Sequence, residues 1–115
     1  MSEDTGPDSL DAHVRRLMKD LGLLGYHTFR SDKSEKGFPD WTIVGKRTIF
    51  RELKRQSEDP TKAQRKWLEA LTASGEDADV WRPSDLYSGR IARELVAISE
   101  LHVRSVTSLI PRDAA

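Results

Sequence analysis

The sequence predicts an α/β domain with the element order α-β-β-β-α-β-α, a mixed sheet flanked by helices. Three observations lead there. Apolar residues recur every three or four positions near residues 8–24, 61–74 and 84–98, the mark of amphipathic helices. Between the first two of these lie Trp41-Thr42-Ile43-Val44 and Thr48-Ile49-Phe50-Arg51-Glu52-Leu53, β-branched and aromatic runs that flank Gly45-Lys46-Arg47 and read as a hairpin. A further short run, Asp79-Val80-Trp81-Arg82, separates the last two helices and needs a sheet to join.

In chain order, residues 1–8 are expected to be a flexible, polar N-terminus, 9–100 the folded domain and 101–115 a tail whose apolar residues show no clear period. The first helix carries the stripe Leu10, Val14, Leu17, Met18, Leu21; Asp8 or Ser9 can cap its start, and Gly22 and Gly25 mark its end. His13 and Asp11 lie off that stripe and are expected to be exposed. Tyr26-His27-Thr28-Phe29 reads as the first strand, with His27 a structural residue. His13, His27 and His102 have no metal-ligand spacing. Thr61 to Ser74 is the second helix, stopped by Gly75; Trp67, Leu68 and Leu71 are its core candidates, and Thr61-x-x-Gln64 has the form of a capping box. Trp81 is expected to pack in the sheet. A last helix, starting at Ser84 or Ser88, carries Ile91, Leu95 and Ile98.

With 115 residues the chain makes one domain, long enough to bury about 60 to 70 percent of its unfolded surface. It has no cysteine, which excludes disulfides, thiol nucleophiles and Cys-type zinc sites and fits a reducing cytosol. No stretch is apolar enough for a signal peptide or a membrane span, so a cytoplasmic location is expected. The net charge is zero, yet residues 30–66 hold eleven Lys or Arg against six Asp or Glu. A local excess of +5 is the footprint of a surface that follows a phosphate backbone. Lys33, Lys36, Arg55, Lys62, Arg65, Lys66 and Arg82 are the candidate contacts.

The chemistry sits inside that basic region. If three residues form the hairpin loop, Val44 faces Thr48, and the register continues to set Asp40 opposite Glu52 on one side of the sheet. Alternation puts Lys54 on that side too, roughly 7 Å from Glu52 at about 3.3 Å per residue. A two-residue turn would pair Asp40 with Arg51 and send Glu52 to the other face. Two converging carboxylates are hard oxygen ligands of the kind Mg²⁺ prefers, and that ion keeps several waters when few carboxylates hold it. One such water can serve as nucleophile while a nearby ammonium offsets charge on a phosphate. The backbone carbonyl of Leu53, between the two functional side chains, is a further oxygen donor. Gln64 shares a helix face with Leu68 and Leu71, which brings its amide near the sheet surface that bears Glu52 and Lys54.

Lys36-Gly37-Phe38-Pro39-Asp40, then Glu52-Leu53-Lys54, then Gln64-Arg65-Lys66-Trp67-Leu68 resembles the virus-type replication-repair (VRR-NUC) group of PD-(D/E)xK nucleases. The likeness extends through Gly25-Tyr26-His27-Thr28 and Val80-Trp81-Arg82-Pro83-Ser84-Asp85, over roughly residues 10–98. It implies a restriction-endonuclease-like core and a Mg²⁺ or Mn²⁺ site with Asp40 and Glu52 as ligands, Lys54 as the catalytic lysine and Gln64 as the helix-borne glutamine. It also implies DNA as substrate, structured or branched as in junctions, flaps or nicked duplexes, in the manner of a Holliday-junction resolvase, with RNA left open. The small freestanding form is that of phage or bacterial members, and cutting two strands would call for a homodimer. In one place the pattern departs: where family members carry a glutamate near the start of the first helix, this chain offers Asp8 and Asp11. The competing expectation is a nuclease-like module that binds nucleic acid without turnover.

Overall fold

The structure, a computed structural model, describes residues 9–29, 35–101 and 106–111. Asp8, Lys33 and the N-terminal segment 1–8 lie outside the described residues. The elements are α1 (Leu10–Asp20), β1 (Leu24–His27), β2 (Trp41–Val44), β3 (Thr48–Leu53), α2 (Lys62–Ala73), β4 (Asp77–Trp81), α3 (Pro83–Tyr87), α4 (Arg90–Ile98) and a 3₁₀ turn at Val106–Leu109. The strands form one sheet in the order β1-β2-β3-β4, antiparallel except for the parallel β3–β4 pair. The parallel pair requires a crossover, and α2 supplies it.

One face of the sheet makes the core. Trp41, Ile43, Ile49, Leu53 and Trp81 alternate onto that face and are buried against Leu10, Val14 and Leu17 of α1, Leu86 of α3 and Ile91, Leu95 and Ile98 of α4. Ser9 caps α1 by accepting the Ala12 N–H. On the opposite face α2 covers only part of the sheet, and its Trp67, Leu68 and Leu71 are half-buried rather than core.

Several boundaries differ from the expectation. Strand β1 begins two residues early because Gly22 ends α1, and Gly25 lies inside the strand, where a side chain would collide with Met18 and the Trp41 ring. Strand β4 likewise starts at Asp77. The expected final helix is two: Pro83 opens α3, and Gly89, at φ +88°, breaks the run before α4. Within the expected tail, Val106–Leu109 forms the 3₁₀ turn and Ile110 packs over Gly89.

Asp11 corrects the expectation most plainly. It is buried, at 5% exposure, and its carboxylate accepts the Trp41 indole N–H at 2.9 Å and the Arg15 Nε–H at 2.8 Å, with His27 Nε2 at 3.4 Å. Burial would raise its pKa, but the bonds from His27, Arg15 and Trp41 and the Arg15 charge outweigh it and hold the carboxyl at about 2. His27 stands edge-on to Trp41, ring centres 4.7 Å apart, as a structural residue on the core face.

A second polar cluster fastens α4 to the sheet. Buried Arg51 donates to Glu94 at 3.0 Å and to the Asp77 and Phe50 carbonyls at 3.0 and 2.9 Å, pairs with the Asp77 carboxylate at 2.9 Å, and lies 5.3 Å over the Trp81 ring. Trp81 donates its indole N–H to the same Glu94 oxygen at 2.8 Å. Glu94 remains ionised: burial opposes its charge, yet bonds from Arg90 and Trp81 and the Arg51 charge hold its pKa below the usual range.

Two stability predictions follow from these clusters. Because the Asp11 pKa falls from 3.8 to about 2 on folding, its contribution is complete above pH 3.8 and is lost as pH drops toward 2. Asp11→Asn is expected to cost about 2 kcal/mol at pH 7 and to flatten the acid limb of a urea-midpoint-versus-pH curve. Arg51→Ala leaves Glu94 and Asp77 without their shared cation and is expected to cost about 3 to 5 kcal/mol in urea unfolding at pH 7.

Candidate active site

The hairpin register decides where the functional side chains go. Val44 pairs with Thr48, Ile43 with Ile49, Thr42 with Phe50 and Trp41 with Arg51. The loop is therefore Gly45-Lys46-Arg47, pinned to the end of α4 by the Lys46 N–H donating to the Ile98 carbonyl at 2.7 Å. One step further this register sets Asp40 opposite Glu52, on the face away from the core. Both are buried, at 6% and 2% exposure, as is Lys54 at 5%.

Each side chain is held by its neighbours. One Asp40 oxygen accepts the Leu53 N–H at 2.7 Å, so the carboxylate is tied to the strand that carries Glu52. The next amide, that of Lys54, donates the other way, to the Trp81 carbonyl of β4 at 3.0 Å. A strand residue turns its N–H and C=O to the same side. The Leu53 carbonyl therefore turns toward Asp40, on the side where the partner strand has ended. Lys54 Nζ is 3.8 Å from Glu58 Oε2, a carboxylate on the β3–α2 connection.

Gln64 makes the link between helix and sheet. Thr61 caps α2 by accepting the Gln64 N–H at 3.2 Å, and the Gln64 side-chain oxygen accepts the Thr61 N–H at 2.8 Å. With its oxygen so engaged, the amide presents its NH₂ to Glu52 and donates to Oε2 at 2.8 Å. Capping and approach to the site, compatible on the sequence, are both served by this side chain. A glutamate would cap as well but could not donate.

Loop 35–39 closes the other flank. Gly37 has φ +88° and sits so near the Ala63 backbone that any side chain would collide with it. Phe38 stacks edge-on against both Phe50 and Trp67, whose indole N–H donates to the Lys36 carbonyl at 3.2 Å. Trp67 thus packs rather than presenting a free ring. Beside this loop runs a groove of about 960 Å³ along the outer face of α2, lined by Lys36, Lys62, Arg65 and Lys66, with Glu69 the acidic residue among its lining. Arg65 also donates to the Pro60 carbonyl at 2.6 Å. Arg55 is exposed on the β3–α2 connection. Arg82 is half-buried and donates to the Glu58 carbonyl at 2.9 Å, a bond that steadies the connection bearing Glu58.

Of the four residues expected at the site, Asp40 and Glu52 face each other in register and Gln64 bonds to Glu52, while Lys54, two residues after Glu52, has its ammonium beside Glu58. The sequence reading did not single out Glu58, whose signal was only its place four residues after Lys54, nor Tyr26, whose exposure depends on how little of the sheet α2 covers. Among the described residues no three His, Cys, Asp or Glu side chains gather as a metal cluster. What the site offers an ion is two buried carboxylates and a backbone carbonyl. That all-oxygen set, with few protein ligands, fits Mg²⁺ or Mn²⁺ and not a zinc site.

No protein-family model matches the chain, and no curated protein matches it. Among solved structures its fold is similar to that of a VRR_NUC domain protein, with a TM-score of 0.53 and 19% sequence identity over 72% of this chain and 76% of that one. The architecture is VRR-NUC-like, a four-stranded mixed sheet flanked by helices.

The Gln64 bond gives a direct test of this geometry. Gln64→Glu keeps an acceptor for the Thr61 N–H but sets a second carboxylate against Glu52 in place of a donor. It is expected to cost about 1 to 3 kcal/mol in urea unfolding at neutral pH. Stability equal to the parent protein would mean that the amide does not hold Glu52.

Proposed function

We propose that the protein is a Mg²⁺- or Mn²⁺-dependent nuclease that hydrolyses phosphodiester bonds of DNA, with structured or branched DNA as its substrate. The observation that supports this reading is that Asp40 and Glu52 face each other in register with Lys54 two residues further on, three buried ionisable residues of the sheet face away from the core. Burying charge on a surface that could expose it is costly unless the groups are used together.

In this reading Asp40, Glu52 and the Leu53 carbonyl hold the ion. A bound Mg²⁺ or Mn²⁺ would supply Lewis-acid polarisation of the phosphate and acidify a water. The remaining work belongs to the chain. The Leu53 N–H fixes the rotamer of Asp40 by its 2.7 Å bond, and Gln64 does the same for Glu52. Lys54 sets an ammonium on the same face, where it can stabilise charge on the phosphate oxygens. Glu58, at 3.8 Å, holds that ammonium in place between turnovers. Lys36, Lys62, Arg65 and Lys66 lie along one groove, where they can hold the backbone beside the scissile bond. No helix among the described residues is long and apolar enough to cross a membrane. In this reading the protein works in the cytoplasm of a bacterial or phage-infected cell, and cutting two strands would take two copies.

The test is cleavage of single-stranded, duplex, flap and four-way-junction DNA, with RNA counterparts, in Mg²⁺, in Mn²⁺ and in chelator. Cleavage is expected with either ion and none in chelator. Asp40→Asn, Glu52→Gln and Lys54→Ala are each expected to slow it about a hundredfold or more. Cleavage unchanged by these substitutions would remove the site; metal-independent binding without cleavage would leave a nucleic-acid-binding module. Affinity is expected to fall steeply with salt as phosphate contacts release counterions.

A further inference from the structure

The sheet face that holds Asp40 and Glu52 is only half covered. Helix α2 lies over the β3–β4 side, while on the β1–β2 side Leu24 is 75% exposed, Tyr26 64% and Val44 42%. These three point the same way as Asp40. Leu24 pairs with Val44 and Tyr26 with Thr42, and the Thr28 N–H donates to the Asp40 carbonyl at 2.8 Å, so the pairing continues and sets Thr28 opposite Asp40. Tyr26 is therefore a diagonal cross-strand neighbour of Asp40, at roughly 7 to 8 Å and within reach of an aromatic side chain.

A solvent-facing tyrosine on a sheet, flanked by Leu24 and Val44 and bordered by Thr42 and Thr28, offers a flat apolar surface with a hydroxyl rim. Asp40 lies beside it, and α2, which reaches Glu52 through Gln64, carries the cation-lined groove on its outer face. The sequence of surfaces is then apolar ring, carboxylate pair, cations. A single nucleic-acid strand matches it: a base on the ring, a phosphate at the carboxylates, the onward backbone on the cations. A stacked duplex does not, because its base faces are covered.

We infer that Tyr26 is the stacking platform for an unpaired base next to the scissile phosphate. This rests on the nuclease reading and narrows it, for the substrate must present at least one unstacked nucleotide at the cut. A second copy of the chain is the competing occupant. Three side chains fall well short of the about 800 Å² that each partner of a stable pair buries.

The experiment measures binding in chelator, without turnover, for a single-stranded oligonucleotide carrying 2-aminopurine and for a blunt duplex, with the parent protein, Tyr26→Phe and Tyr26→Ser. Because Tyr26 is exposed, both variants are expected to fold, and unfolding midpoints equal to the parent verify it. Tyr26→Phe should keep single-strand affinity and the 2-aminopurine quenching on binding. Tyr26→Ser should lose the quenching and weaken single-strand binding about tenfold, with duplex binding unchanged. Equal single-strand affinity and quenching in Tyr26→Ser would overturn the inference while leaving Asp40-dependent cleavage intact. A sedimenting dimer of the parent that Tyr26→Ser dissociates would overturn it in favour of a second copy. A parent protein that neither binds nor cleaves nucleic acid would end the nuclease reading itself.

Discussion

The pairing of Val44 with Thr48 is the constraint on which the molecule turns. Strand side chains alternate between faces, so the length of one loop decides the destination of every residue in the hairpin. Three residues in that loop send Trp41, Ile43, Ile49 and Leu53 into the core and leave Asp40, Glu52 and Lys54 on the other face. A loop one residue shorter would bury Glu52 among the indoles and turn its neighbours outward. The contact of Lys46 with the Ile98 carbonyl fixes the loop from outside the sheet, so α4 takes part in setting the register although it lies on the far side from the site.

Much of this was legible in the sequence because it depends on local chemistry: β-branched runs, a glycine-led loop, the parity of Asp40 and Glu52, the Thr61-Gln64 cap. What was not legible depends on partners distant in sequence. Asp11 reads as an exposed helix residue, since nothing within a few positions announces Trp41 or His27 as its partners. Gly25 reads as a helix stop, and only the approach of Met18 and the Trp41 ring shows it to be a packing glycine. Gly89 breaks the helix just ahead of a stripe, Ile91, Leu95 and Ile98, whose spacing is the same whichever way the preceding turn is wound. The placement of Glu58 beside Lys54 likewise follows from how the β3–α2 connection folds back, with Arg82 holding it by the Glu58 carbonyl.

Gln64 explains why α2, which packs so lightly, can still be positioned accurately. A half-buried helix has limited apolar contact to fix its rotation about its own axis. The capping bonds set the orientation of the amide relative to the helix, and the bond to Glu52 sets the helix relative to the sheet. Gly37 against Ala63, and Phe38 between Phe50 and Trp67, lock the same helix from the other flank. Polar bonds and close backbone approach do here what a deep core does for α1 and α4.

The run Arg51-Glu52-Leu53-Lys54 carries the division of labour in four consecutive residues. Arg51 and Leu53 point to the core face, where one joins the ion cluster of Glu94 and Asp77 and the other packs. Glu52 and Lys54 point to the site. Both faces bury charge, but the two solutions differ. Arg51 is surrounded by two carboxylates, two carbonyls and an aromatic ring, an arrangement complete within the protein. Asp40 and Glu52 instead face one another across the strands, with the Leu53 N–H and the Gln64 amide among their partners. The same alternation that makes Arg51 a fastening thus sets Glu52, one residue along, on the opposite face beside Asp40.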